Sequence, residues 1–145
     1  MSLERGFTFH DHTADITIEC WAPSLKEAFA EAAKATFEVI LDTSTVNPQE
    51  SIDVSVEGID LQELLVEWIG ELIALIDING QFYTRFEVDA IDETADGYSL
   101  TAKAWGEAID HKRHATRTEV KAMTYADMRI EQRPERTTLY FTVDL

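Results

Sequence analysis

Six consecutive residues, His10-Asp11-His12-Thr13-Ala14-Asp15, carry two carboxylates and two imidazoles. They stand directly before the apolar alternation Ile16, Ile18, Cys20. They therefore read as a loop feeding a strand, where a rigid scaffold displays reactive groups. Carboxylate oxygens at this density suit Mg²⁺, Ca²⁺ or Mn²⁺, whereas the imidazoles would favour Zn²⁺. A calcium-like cation takes about six or more oxygens, so this cluster cannot close such a site alone. Partners must come from elsewhere, or else Asp11 and Asp15 cap turns and the histidines pack or face solvent. A metal-bound water needs few protein ligands and an open position. Asp11, His12 and Asp15 are therefore also a minimal set for a metal-dependent hydrolase.

Two later features bear on the same chemistry. Asp144 follows the apolar alternation Leu139, Phe141, Val143 and adjoins Leu145, whose terminal carboxylate would sit beside it. If that strand returns next to the first, the pair completes the cation site begun at Asp15, since antiparallel pairing sets one strand's end beside another's beginning. Lys121 stands within Glu119-Val120-Lys121-Ala122-Met123-Thr124-Tyr125. It either neutralises the clustered carboxylates or snorkels out of a sheet. His111 and His114, among Lys112, Arg113 and Arg117, read as a solvated loop rather than a basic patch. Cys20 and Trp68 lie on apolar faces and read as core. Gly106-Glu107 and Asn79-Gly80 read as turn chemistry. No dinucleotide or Walker loop, no nucleophile elbow and no zinc-protease motif is present.

Composition narrows the partners. The chain has 145 residues, enough for one domain with a real core, and its 45% hydrophobic content argues against disorder. The formal net charge is −16. Residues 1–102 hold 4 Lys/Arg against 21 Asp/Glu, while residues 103–145 hold 8 against 7. Such a surface repels phosphate backbones, so direct nucleic-acid binding is not expected; cations and basic protein partners are favoured. A single cysteine allows no intrachain disulfide. With no signal-peptide pattern and no membrane-length apolar run, a cytoplasmic protein without a membrane partner is the expectation.

The elements that must position these groups follow from periodicity. Residues 7–10 and 15–21 read as strands. Ser24 with Glu27 forms a capping box, and Leu25, Ala28, Phe29, Ala32, Ala33, Thr36, Phe37 and Ile40 trace one face of a helix over about 25–41. Ile52, Val54 and Val56 mark a third strand. Asp60 with Glu63 caps a second helix, whose apolar face runs from Leu61 to Ile76 and which closes over Asp77–Gly80. Phe86–Ala90 and Tyr98–Ala104 form a hairpin about Asp96-Gly97. Val120–Tyr125 and Met128–Glu131 are extended, Pro134 breaks the chain, and Leu139–Val143 closes it. Two strand–helix–strand units with like-patterned helices predict an α+β fold with a mainly antiparallel sheet.

At these residues the chain resembles the archease family. The resemblance rests on Asp11-His12-Thr13-Ala14-Asp15-Ile16, on Ser24-Leu25-Lys26-Glu27-Ala28-Phe29, and on Asp60-Leu61 with Leu64-Leu65. Gly106-Glu107, Glu119-Val120-Lys121-Ala122 with Thr124-Tyr125, and Val143-Asp144-Leu145 follow in family order. Ala126 departs from the His or Ser frequent there. The resemblance implies two strand–helix–strand–strand units, one inserted in the other. It implies an accessory factor, not an enzyme, that acts on an RtcB-type RNA ligase. It would promote guanylylation of the ligase histidine and multiple turnover in tRNA splicing and RNA repair. Other tRNA-processing enzymes are further possible partners. It also implies a divalent cation, Ca²⁺ first, with Mg²⁺ or Mn²⁺ as alternatives. Asp15 and Asp144 would be metal carboxylates, Asp42 a further candidate, and Lys121 the required lysine. The rival readings are the hydrolase above and a metal-independent chaperone or adaptor of tRNA-processing enzymes.

Overall fold

The computed structural model describes residues 4–11 and 14–145; His12 lies outside them. The elements are β1 (Gly6–Asp11), β2 (Asp15–Ala22), α1 (Leu25–Ile40), a 3₁₀ turn (Thr43–Thr45), β3 (Glu50–Gly58), α2 (Leu61–Asn79), β4 (Gln81–Thr94), β5 (Gly97–Ala108), β6 (Ala122–Arg133) and β7 (Arg136–Asp144). They form two antiparallel sheets, ordered β1-β2-β7-β6 and β3-β5-β4. The β3-α2-β4-β5 run is one strand–helix–strand–strand unit. It is inserted between α1 and the β6–β7 hairpin of the other. The expected α+β architecture is thus the observed one.

Each helix starts where its cap dictates. The Ser24 hydroxyl accepts the Glu27 N–H at 3.3 Å, and the Asp60 carboxylate accepts the Glu63 N–H at 2.8 Å. Gly80 ends α2 at φ 61, the left-handed conformation that glycine adopts without strain. Helix α1 lies between the sheets, against β2 and β7 on one side and β4 on the other. Five alanines, Ala28, Ala30, Ala32, Ala33 and Ala35, are buried around it, so it is enclosed on nearly all sides. Small side chains let two sheets approach one helix this closely.

Helix α2 joins this core through Trp68, which is fully buried and donates its indole N–H to the Phe29 carbonyl at 2.9 Å. Trp68→Phe keeps most of the ring volume and removes this bond, while the Phe29 carbonyl keeps its place in the α1 ladder. The expected cost is about 1–2 kcal/mol, read as a lower urea midpoint at unchanged m-value. Cys20 is likewise core: its thiol donates to the Ala28 carbonyl, and burial pushes its pKa up.

Three differences from the sequence pattern have physical causes. Strand β4 begins at Gln81, five residues before the alternation starts at Phe86. A register shift between Tyr83 and Arg85 breaks the two-residue period there, with Phe82 and Tyr83 both buried. Gly106-Glu107 is not a turn but lies inside β5, where a Cβ on Gly106 would overlap the Phe82 carbonyl. Strand β6 is continuous through an irregularity between Thr124 and Arg129, where Asp127 sits at φ 57. Pro134 and Glu135 form the two-residue turn into β7.

Candidate metal centre

The register of the four-stranded sheet sets Asp15 directly opposite Asp144. In β2 the residues Ile18, Cys20 and Ala22 face the core, as do Leu139, Phe141 and Val143 in β7. By alternation, Asp15 and Asp144 project from the other face, away from the helices. The Leu145 N–H donates to the Ala14 carbonyl at 3.1 Å. That bond flanks the Asp15–Asp144 pair, which is therefore of the non-hydrogen-bonded kind, in which side chains stand closest. Opposite Cβ atoms lie about 4.5–5.5 Å apart in such ladders. Next along the same face, the Thr17 and Thr142 hydroxyls meet at 2.9 Å. The sheet thus holds two half-buried carboxylates side by side, and among the described residues neither has a hydrogen-bond or ion-pair partner.

The other sequence candidates separate into distinct roles. Lys121 donates its backbone N–H to the Asp144 carbonyl at 2.8 Å. Its side chain is exposed and forms no ion pair among the described residues, so it does not neutralise the carboxylates in this arrangement. Asp11 ends β1 opposite Ile16, on the core-facing side, and so points to the other face from Asp15. Asp42 does not join the pair. Its carboxylate accepts the Ser44 hydroxyl at 2.6 Å and the Ser44 N–H at 3.0 Å, which caps the 3₁₀ turn and lowers its pKa. Among the described residues, no three His, Cys, Asp or Glu side chains gather as a complete metal-binding group. The donor set at Asp15 and Asp144 is oxygen only. It fits a hard divalent cation whose remaining positions are filled by water or by a partner.

The strap from β5 to β6 that carries Lys121 is held by a cluster that sequence reading missed. Glu107 is 4% exposed and His114 4% exposed. One Glu107 carboxylate oxygen accepts from the Arg113 guanidinium at 2.8 Å, from the Asn47 N–H at 2.8 Å and from His114 Nε2 at 2.9 Å. The Asp110 N–H donates to His114 Nδ1 at 3.0 Å. His114 is therefore the tautomer with its proton on Nε2. The solvated loop predicted here has its second histidine buried. The Arg113 guanidinium first, then the Asn47 N–H and His114, holds the Glu107 carboxyl well below the usual carboxylate range. Further along, Arg117 and Thr118 donate their N–H groups to the Ile40 carbonyl, and the Arg117 guanidinium pairs with Glu38 at 3.1 Å. The strap is thus pinned to the end of α1 before it reaches Glu119, Val120 and Lys121.

Comparison with known proteins gives one consistent answer. The model of the Archease protein family (MTH1598/TM1083) matches residues 7–145. The protein archease of Aeropyrum pernix is 43% identical over 140 residues, which cover 97% of each chain. The solution structure of protein 1598 from Methanobacterium thermoautotrophicum superposes with a TM-score of 0.81 at 37% identity, covering 97% of this chain and 99% of that one. The crystal structure of an archease from Thermotoga maritima, described as a possible chaperone, shares the fold with a TM-score of 0.55 at 20% identity, covering 94% of both chains.

Proposed function

This chain belongs to the archease family, and from that premise we propose that it is a cytoplasmic accessory factor of an RtcB-type RNA ligase. In this reading it promotes guanylylation of the ligase histidine and supports repeated rounds of ligation in tRNA splicing and RNA repair. The observation that carries the proposal is the pairing of Asp15 with Asp144 on one sheet face with no neutralising side chain among the described residues. Like charges set directly opposite destabilise a sheet. A divalent cation, Ca²⁺ or alternatively Mg²⁺ or Mn²⁺, would relieve that repulsion and supply positive charge next to a partner's phosphates. The chain's own carboxylates would hold the ion, and the exposed Lys121 would face the partner from the strap that leads into β6. Fewer protein ligands than a calcium site needs means that the docked ligase or its nucleotide would complete the shell.

A metal-independent chaperone or adaptor role is the second reading, prompted by the description of the Thermotoga maritima relative. The hydrolase reading draws no support from the sheet, because Asp11 and Asp15 project from opposite faces. A multiple-turnover ligation assay with and without the protein separates the three. Activation that a chelator removes fits the proposal, and activation that survives chelation fits the adaptor. Cleavage of a simple phosphoester by the protein alone would favour the hydrolase.

Docking should be electrostatically steered. The acidic excess over residues 1–102 attracts a basic ligase surface, and exposed charges are screened over about 8 Å at physiological ionic strength. Raising salt is expected to slow association several-fold while changing dissociation little. An association rate flat across salt would remove steering from the account.

A further inference from the structure

Between the ends of the two helices and the strap that leads to Lys121, the fold leaves a cavity of about 450 Å³ that the metal chemistry does not use. It forms because the strap is pinned to the C-terminal end of α1 and stands away from the last turns of α2. Its floor is apolar: Ile40, Ile73, Ile76, Phe82, Ile109 and Val120. Asp77, Arg117 and Glu119 stand at its edge. Arg117 is engaged by Glu38. Asp77 and Glu119 are exposed and have no hydrogen bond or ion pair among the described residues. The mouth is therefore net negative around an apolar floor.

The chemistry of this cavity selects its occupant. Small-molecule sites orient their ligand with a few placed polar groups, yet no buried side-chain nitrogen or oxygen lacks a partner among the described residues. Beside the exposed His111, Thr116 and Thr118 of the strap, recognition is left to apolar area and to the two free carboxylates. That combination matches an aliphatic or aromatic side chain flanked by Lys or Arg on a protein surface. Such anchors, seated in a pocket with charge around them, carry most of the energy of an interface. Glu119 and Val120 also lead directly into Lys121, whose N–H is bonded to the Asp144 carbonyl. A side chain seated here would lie against the segment that borders the carboxylate pair.

Resting on the ligase-activator reading, we propose that this cavity seats an apolar anchor from a basic segment of the ligase and so sets the docking register over Asp15 and Asp144. The test measures binding of the full chain to purified RtcB-type ligase by biolayer interferometry, with thermal melts of every variant. The doubly charge-reversed Asp77→Lys/Glu119→Lys protein alters only exposed side chains and should fold. It is expected to bind at least tenfold more weakly, mostly through slower association. Ile76→Ala is expected to bind several-fold more weakly through faster dissociation. Should Ile76→Ala prove too unstable to compare, the charge-reversed protein decides alone. Wild-type affinity in the charge-reversed protein overturns the proposal while leaving the ligase reading intact. If Ile76→Ala alone loses affinity for the ligase, the seated segment is not basic and the proposal as stated is overturned. If the wild-type protein neither binds nor activates the ligase, the ligase reading itself falls, and this one falls with it.

Discussion

Asp144→Asn is expected to abolish ligase activation while leaving the melting temperature unchanged or slightly raised. The two parts of that result come from one geometry. Asp144 stands opposite Asp15 in a non-hydrogen-bonded pair of the β2–β7 ladder, with neither side chain neutralised among the described residues. Cross-strand pairs of like charge cost up to about 1 kcal/mol, so removing one charge relieves strain in the metal-free protein. The same change removes an oxygen charge that a hard cation needs. Asp15→Asn should behave the same way. Added Ca²⁺ is expected to raise the melting temperature of the wild type and of neither variant, because only the folded wild type binds the ion. A stable Asp144→Asn protein with full activity would remove the shared-site account. Lys121→Ala is expected to lose activation while keeping the Ca²⁺-dependent rise, since its side chain pairs with neither carboxylate.

Glu107→Gln should produce the largest loss of stability. The carboxylate is nearly buried and accepts three hydrogen bonds, from Arg113, Asn47 and His114. An amide can satisfy only part of that set and removes the charge facing Arg113. Breaking one partner of a buried, hydrogen-bonded charge costs about 3–5 kcal/mol. Because Arg113 is 44% exposed along its side chain, the lower end of about 3 kcal/mol is expected, or a melting shift of roughly 10 °C for a chain of this size. The sign with pH follows from the depressed pKa. Glu107 binds a proton more readily in the unfolded chain than in the native one. Its contribution is therefore whole above the ordinary glutamate value of about 4.3 and is lost progressively as pH falls below that. Wild-type stability should drop on acidification through this window more steeply than that of Glu107→Gln. Parallel pH profiles would assign acid sensitivity elsewhere. Since this cluster holds the strap carrying Lys121, the variant should also activate the ligase less well near its melting range.

Helix positions were legible because their signals are local. Ser24 with Glu27 and Asp60 with Glu63 mark starts, and in α2 the buried Leu64, Leu65, Trp68, Ile69 and Leu72 recur every three to four residues; α1, buried on nearly all sides, hid its second face behind alanines. The alternation in β2 and β7 predicted which side chains share a face, since a one-residue slip would turn Ile18 and Phe141 to solvent. Alternation fixes only that parity, however. Which residue of β7 meets Asp15 is a long-range matter of register, and family resemblance supplied it where periodicity could not. The Glu107–His114 cluster was invisible for a related reason. A glutamate ending a strand and a histidine in a polar strap have no shared period, and their burial comes from Phe82 and Asn47 arriving from elsewhere. The break in β4 alternation at Tyr83 hid the strand's true start in the same way.

The central claim is that this chain accelerates guanylylation of an RtcB-type ligase through a cation held by Asp15 and Asp144. It is tested most directly by following incorporation of labelled guanylate into purified ligase, with the protein present below one equivalent. The account predicts faster incorporation with the wild-type protein and Ca²⁺, Mg²⁺ or Mn²⁺, and the unassisted rate with Asp144→Asn. Identical incorporation with wild type, with Asp144→Asn and with no added protein would contradict it.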